Sequence, residues 1–478
     1  MKVLFASAEC APFYKTGGLG DVAGALPKVL KKQGVDIRVV LPFYTSLPQK
    51  YKDQLEDVCQ FEVKVGWRNQ FCGIKKLEND GVVYYFIDNL YYFDRPGIYG
   101  FDDDGERFAF FSQAIIEMLE KIDFIPDVLH VNDYHTAMIP VLLKDKYGWI
   151  EKYQSIKTML TIHNMQFQGI FDQLVLSDWF DIGYNAFHMN GLEFYGNVNF
   201  LKGGIYYSDI VTTVSPTYAD EIQTDEFGMG LDGVLRDNNY KIKGILNGID
   251  YDVFDPEADE HVAEHFSIED PSGKLINKTV LQEKVGLPVN EEIPVVAMVS
   301  RLTEQKGVHL LIEKMEELMN RELQIILLGT GESHLEDACK HYNWAYPEKF
   351  KAIIDFDVEL AQLIYAGSDM FIMPSAFEPC GLSQLNSLRY GTLPIVHETG
   401  GLKDTVDPYN AYTGEGTGFS FSGYSSQIML ETIDRALNTY YEYPKQWKKL
   451  VRQAMQKDFS WEKSSRIYLD CYRQITES

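Results

Sequence analysis

No run of apolar residues in this chain approaches the ~18–20 needed to cross a bilayer, and its six cysteines (Cys10, Cys59, Cys72, Cys339, Cys380 and Cys471) form no C-x-x-C pair. Scattered thiols speak against a structural zinc site or a disulfide framework and for a reducing compartment. Basic residues are in deficit: 44 Lys and Arg stand against 70 Asp and Glu, a formal net charge of −26. A surface of that sign repels nucleic acid and anionic membranes, so neither is expected as a partner. No long acidic block, solenoid-spaced repeat or low-complexity tract occurs, so the negative charge reads as a solvated surface and not as an acidic tail. The opening Met1-Lys2 leads into an apolar strand and then Glu9, without the apolar stretch and cleavage site of a signal peptide; a cytoplasmic protein is expected. An anionic ligand would have to be met by a few well-placed cations against the overall field.

What is present is a long alternation of strands and helices. At 478 residues the chain exceeds one core, and two domains of roughly 200–250 residues each are expected. KVLFASAE, VDIRVVLPF, VVYYFID, PDVLHVND and KTMLTIHN read as buried or half-buried strands, with helical patterns such as DVAGALPKVLKKQG and ERFAFFSQAIIEMLEKI between some of them. Beyond residue 290 the pattern resumes: PVVAMVS, QIILLG, KAIID, MFIMPS and LPIVHE as strands, VHLLIEKMEELMNRE and VELAQLIYAGS as helices. Two series of βα units predict an α/β fold of two doubly wound domains with parallel sheets. The turn-rich segment 243–260 marks the boundary, which gives domains 1–244 and 245–457. Residues 458–478 form an amphipathic C-terminal helix, with Ser460 as a candidate N-cap, expected to pack back on the first domain.

The chemistry-bearing residues cluster at strand ends. Gly18-Leu19-Gly20-Asp21-Val22-Ala23 formally satisfies the dinucleotide fingerprint G-x-G-x-x-A, but Cys10 to Gly17 separate it from the first strand, and strand two ends Val40-Leu41-Pro42 without the ribose-binding acid. A glycine-rich loop whose backbone N–H groups, with Lys15, face an anion or a sugar is the better reading; a plain connecting turn competes with it. In the second half, Arg301 and Lys306 share one short loop after the strand PVVAMVS, at the edge where open α/β sheets bind ligands. Two cations there suit a diphosphate, and a solvated surface pair is the alternative. Pro374 to Ser383 joins MFIMPS to a helix starting near Gly381, whose N–H groups suit phosphate oxygens. Glu378 would accept hydrogen bonds from sugar hydroxyls or cap that helix. Thr399-Gly400-Gly401-Leu402 is a further glycine-rich helix start. In the first half His163 ends a strand and, taken alone, reads more readily as a hydrogen-bonded structural histidine than as a site residue, and Asp133 ends VLHVND with an N-cap role as an equal alternative.

Taken in order, Lys15-Thr16-Gly17-Gly18-Leu19-Gly20-Asp21-Val22, Thr161-Ile162-His163-Asn164, Asn199-Phe200-Leu201-Lys202, Val214-Ser215-Pro216-Thr217-Tyr218, Asn247-Gly248-Ile249-Asp250, Arg301-Leu302 with Gln305-Lys306-Gly307, and Glu378-Pro379-Cys380-Gly381-Leu382 closely resemble the bacterial glycogen synthases and plant starch synthases. The resemblance implies a GT-B glycosyltransferase, two Rossmann-like domains facing a deep cleft. It implies transfer of glucose from ADP-glucose to the non-reducing end of an α-1,4-glucan such as glycogen or a malto-oligosaccharide, with retention. Neither cofactor nor metal is implied, ADP-glucose being the donor substrate. Carried over by position, Lys15, Gly17 and Gly18 approach the donor, Arg301 and Lys306 neutralise the departing ADP, and Gly381, Leu382 and Ser383 hold the distal phosphate. Glu378 stands near the glucosyl ring, His163 and Asn247 line the sugar pocket, and Asp21 and Asp133 fall on cleft positions. Phe356 replaces the usual adenine-stacking Tyr, Asn386 stands where related glycosyltransferases carry a second Glu, and Met165-Gln166-Phe167 replaces a usual Ala-Tyr pair. The sequence sets no oligomeric state. A non-catalytic glucan-binding scaffold and a UDP-glucose-dependent enzyme are the competing functions.

Overall fold

A computed structural model describes residues 1–477. The chain divides into two compact units, one of Met1–Asn247 with the stretch from Trp461 onward, the other of Gly248–Ser460. In the first unit the strands are β1 (Lys2–Ala6), β2 (Asp36–Pro42), β3 (Glu56–Val65), β4 (Arg68–Asn79), β5 (Val82–Asp88), β6 (Val128–Asn132) and β7 (Lys157–Ile162), followed by β8 (Ile170–Asp172), β9 (Glu193–Phe194), β10 (Asn197–Asn199), β11 (Ile210–Thr213) and β12 (Ile242–Gly244). Nine of them form one sheet in the order β12-β11-β7-β6-β1-β2-β5-β4-β3, and β8, β10 and β9 form a small separate sheet. The β-branched runs read from the sequence are the buried central strands, Val3–Ala6 and Val128–Val131 being fully buried or nearly so.

The expectation of parallel sheets needs correction in two places: the small sheet is antiparallel, β10 running against both β8 and β9, and the large sheet has an antiparallel edge. β4 runs antiparallel to both β3 and β5. The hairpin β3–β4 alternates exposed polar with half-buried residues, the pattern of an edge with one wet face, and it turns through Gly66-Trp67. The terminal helix Trp461–Thr476 packs on this unit through Trp461, Tyr468, Cys471, Tyr472 and Ile475. It is tied by Gln33 Nε2 to Ser465 Oγ (2.7 Å) and by His130 Nδ1 with Tyr472 Oη (2.7 Å).

In the second unit β13 (Val295–Val299), β14 (Gln324–Leu328), β15 (Phe350–Ile353), β16 (Met370–Met373), β17 (Leu393–His397) and β18 (Phe419–Phe421) make an all-parallel sheet in the order β15-β14-β13-β16-β17-β18. The helical pattern over 308–322 is two short helices, Val308–Glu313 and Met315–Met319, meeting at Lys314. Each sheet has a point where strand order reverses, between β1 and β6 in the first unit and between β13 and β16 in the second. Crevices form at the carboxyl ends of strands at such points, because successive connections leave to opposite faces. The loops after β1, β6, β13 and β16 therefore border these crevices.

Candidate active site

In the second unit, the loop after β13 carries Arg301 and Lys306, and the loop after β16 carries Ser375 and Glu378. The two loops cross in direct backbone contact: Ala376 N donates to Gln305 O at 2.8 Å. Gly307, at φ +75°, lies where a Cβ would come within 1.9 Å of Pro374 O. A side chain there would drive the loops apart, so glycine is required. The crossing sets Lys306 Nζ 2.9 and 2.7 Å from the two Glu378 carboxylate oxygens, with Ser375 Oγ donating to Oε2 at 2.9 Å. Glu378 is thus committed to Lys306 and Ser375 and does not cap the following helix, which starts at Ser383. Arg301 is exposed and makes no ion pair among the described residues. A cavity of about 170 Å³ is lined by Ser300, Arg301, Lys306, Ser375 and Ser383, with Met298 and Met373 among its apolar walls. Structure thus brings together Arg301, Lys306 and Ser383, with Glu378 bonded to Lys306. Gly381 (φ +71°) and Leu382 immediately precede that short helix. Phe356 follows β15 on the same edge of the sheet and is 76 % exposed, free to offer a ring face.

The first unit builds its strand ends differently. Glu9, which sequence reasoning did not single out, is buried after β1. Its carboxylate accepts the Thr16 N–H and hydroxyl, both at 2.7 Å, and the Gly20 N–H at 3.1 Å, folding Lys15–Gly20 around one acid. Burial raises the Glu9 pKa against the lowering effect of those three donors. Gly17 caps the helix Gly18–Lys32, and Gly17 and Gly18 are exposed. Lys15 is paired with Asp21 at 2.6 Å. The only signal for Glu9 was its place between β1 and the glycine-rich stretch.

Across the reversal, Asp133 occupies the left-handed region (φ +55°) directly after β6 and accepts the His163 N–H at 2.7 Å. It opens the helix Asp133–Asp145 but is not its N-cap; Asn132 holds that position. Burial raises the Asp133 carboxyl to about 7 despite the N–H donors of His163 and Asn164, with Glu9 adding to the rise. His163 Nε2 lies 2.9 Å from Asn132 Oδ1, and burial lowers the imidazole to about 3, so the ring is neutral. Asn247, after β12, is buried with its Oδ1 unpartnered among the described residues. An open cavity of about 440 Å³ nearby in this unit is walled by Tyr134, Phe167, Gln168, Phe171 and Met229.

Two family models match the chain, one described as Starch synthase catalytic domain over residues 2–237 and one as Glycosyl transferases group 1 over residues 281–454. A glycogen synthase of Ligilactobacillus salivarius is 58 % identical over 476 residues, covering 99 % of this chain and all of that one. The chain belongs to the glycogen synthase and starch synthase family. A second member, a glycogen synthase of Streptococcus sanguinis, is 55 % identical over 475 residues, again 99 % of this chain and all of that one. The catalytic domain of starch synthase IV from Arabidopsis thaliana, solved bound to ADP and acarbose, superposes with a TM-score of 0.93 at 33 % identity, covering 100 % of this chain and 99 % of that one. As a member of this family the chain is a glycosyltransferase enzyme of GT-B α/β fold. Among the described residues no helix is long and apolar enough to cross a membrane.

Proposed function

We propose that the chain transfers glucose from ADP-glucose to the non-reducing end of an α-1,4-glucan with retention, releasing ADP, in the cytoplasm and without a metal. The observation that carries this is the convergence of Arg301, Lys306 and Ser383 on one cavity at the strand-order reversal of the second unit. Breaking the anomeric C–O bond leaves positive charge on the sugar and negative charge on the diphosphate. Preorganised cations at the leaving oxygen supply the largest stabilisation of that change. Arg301 binds two phosphate oxygens at once and stays ionised throughout. Lys306, held by Glu378 in the free protein, shares its ammonium with the phosphate as charge builds. Gly381, Leu382 and Ser383 present backbone N–H groups to the distal phosphate, and Phe356 stacks on the base.

Glu378 accepts from sugar hydroxyls once Lys306 is shared. His163, Asn247, Asp133 and the Lys15–Gly17–Gly18 loop with Asp21 serve the sugar and the acceptor. The aromatic wall of Tyr134, Phe167 and Phe171 suits the apolar faces of a glucan. The acceptor hydroxyl attacks from the face that ADP leaves: a new C–O bond replaces the broken one, and the hydroxyl proton passes to a leaving phosphate oxygen. ADP and acarbose in the Arabidopsis relative are the ligand types this reading requires. The test is nucleotide release with a glycogen primer and either ADP-glucose or UDP-glucose. ADP release matched to glucan elongation is expected. Glucan co-sedimentation without ADP release would establish a scaffold, and preferential UDP release would replace the donor.

A further inference from the structure

His163 is held at both ends by two consecutive residues of the neighbouring strand end: its backbone N–H by Asp133, its ring by Asn132. Asn132 is fully buried, and its Nδ2 donates to the Ala6 carbonyl at 3.0 Å. A carbonyl oxygen only accepts, so the amide cannot be turned around without setting two oxygens against each other. Oδ1 is thereby forced to face the imidazole, and it too only accepts. The Asn132 backbone is fixed as well, its N–H donating to Thr136 Oγ1 at 2.8 Å and its carbonyl accepting from the same hydroxyl at 2.9 Å. We infer that Asn132 is a positioning residue that locks His163 in the Nε2–H tautomer, so that Nδ1 presents a lone pair and accepts a hydrogen bond from a hydroxyl of the bound sugar. Nδ1 has no hydrogen-bond partner among the described residues. The groups around the ring agree: the carboxylate of Asp133 is engaged by backbone N–H groups, and the histidines His130 and His135 are themselves held neutral by burial.

This deepens the reading that His163 lines the sugar pocket and rests on it, so the test has two arms. In the first, the wild-type protein is labelled with ¹⁵N-histidine and the His163 ring nitrogens are assigned with a His163→Gln control. A protonated Nε2 and a bare Nδ1, unchanged between pH 6 and pH 8, are expected. A protonated Nδ1, or a ring that titrates within that interval, overturns the proposal whatever the substrate is. The second arm compares kcat/KM for a set of monodeoxy ADP-glucose donors in wild type and Asn132→Ala. One hydroxyl deletion is expected to cost about tenfold in wild type, as for one neutral hydrogen bond, and that discrimination should shrink to about twofold in the variant. Unchanged discrimination in a folded variant also overturns the proposal. Should Asn132→Ala fail to fold, the spectrum of the wild type alone decides. Absence of any deoxy discrimination in wild type, with the predicted spectrum, instead sinks the placement of His163 against the sugar and with it the hydroxyl contact.

Discussion

The two units solve the same topological problem with carboxylates used in opposite ways. In Gly248–Ser460 the acid at the strand-order reversal, Glu378, holds a cation, and a second cation, Arg301, stands beside it without an ion pair among the described residues. In Met1–Asn247 the acids at the reversal, Glu9 and Asp133, hold backbone N–H groups and shape the loops themselves. Side-chain charge is thus on offer in one unit and consumed internally in the other. A unit with spare cations suits an anion that gains charge, whereas loops tied from within suit a neutral sugar whose orientation must be fixed. The overall charge of −26 sharpens the point, since anion binding must be concentrated where cations are stationed.

Removing one of the two cations at the cavity of the second unit should have the largest effect. Lys306→Ala is expected to lower turnover by ~10²–10³-fold, as for loss of one charge-stabilising donor, with ADP release from ADP-glucose as the measurement. Turnover unchanged in a folded variant would remove the distinction between the units, because the second would then owe nothing to its cations.

The charge consumed internally should show in stability. The Asp133 carboxyl, raised by burial to about 7, is penalised when ionised in the folded chain. Its contribution to stability is therefore fully present below its unfolded value near 4 and is lost as pH rises toward 7 and beyond. Asp133→Asn lacks this titration. The stability of wild type relative to the variant should fall between pH 4 and pH 8 by about 4 kcal/mol, read from urea unfolding at both pH values. A constant difference would mean that the carboxylate is not buried at the cost described.

Much of this was legible in the sequence because the strands are short buried runs and the functional residues sit directly at their ends. Arg301 and Lys306 could be placed on one loop because PVVAMVS reads as a strand, but the crossing of that loop by Pro374–Glu378 was not legible, since it depends on β13 and β16 being neighbours although β14 and β15 lie between them in the chain. The hairpin β3–β4 was not legible, since its mixed polar pattern matches no fully buried strand. Glu9 and Asn132 were missed for a different reason. Their importance lies in which backbone groups and side chains they meet across 7 to 126 residues of sequence, and residue type alone does not carry that. Asp133 was visible as a residue, but not its left-handed backbone, which turns the carboxylate toward the neighbouring strand end and away from a capping role.

The smallest expected effect separates the units through their ion pairs. Lys15–Asp21 and Lys306–Glu378 have similar lengths, 2.6 and 2.7 Å, but side-chain exposures of 39 % and 35 % against 16 % and 7 %. Length therefore says little about their worth; solvent does. Around the first pair water screens the attraction and both side chains lose rotamer freedom to make it, so Asp21→Ala should change stability by no more than about 1 kcal/mol. Around the second pair the loss of Glu378 strands a mostly buried ammonium, for which costs of about 3–5 kcal/mol are usual. Thermal unfolding of the two single variants side by side measures the contrast. An Asp21→Ala loss as large as that of Glu378→Ala would show that the glycine-rich loop is held by its surface pair, and the role of Glu9 as its internal anchor would have to be given up.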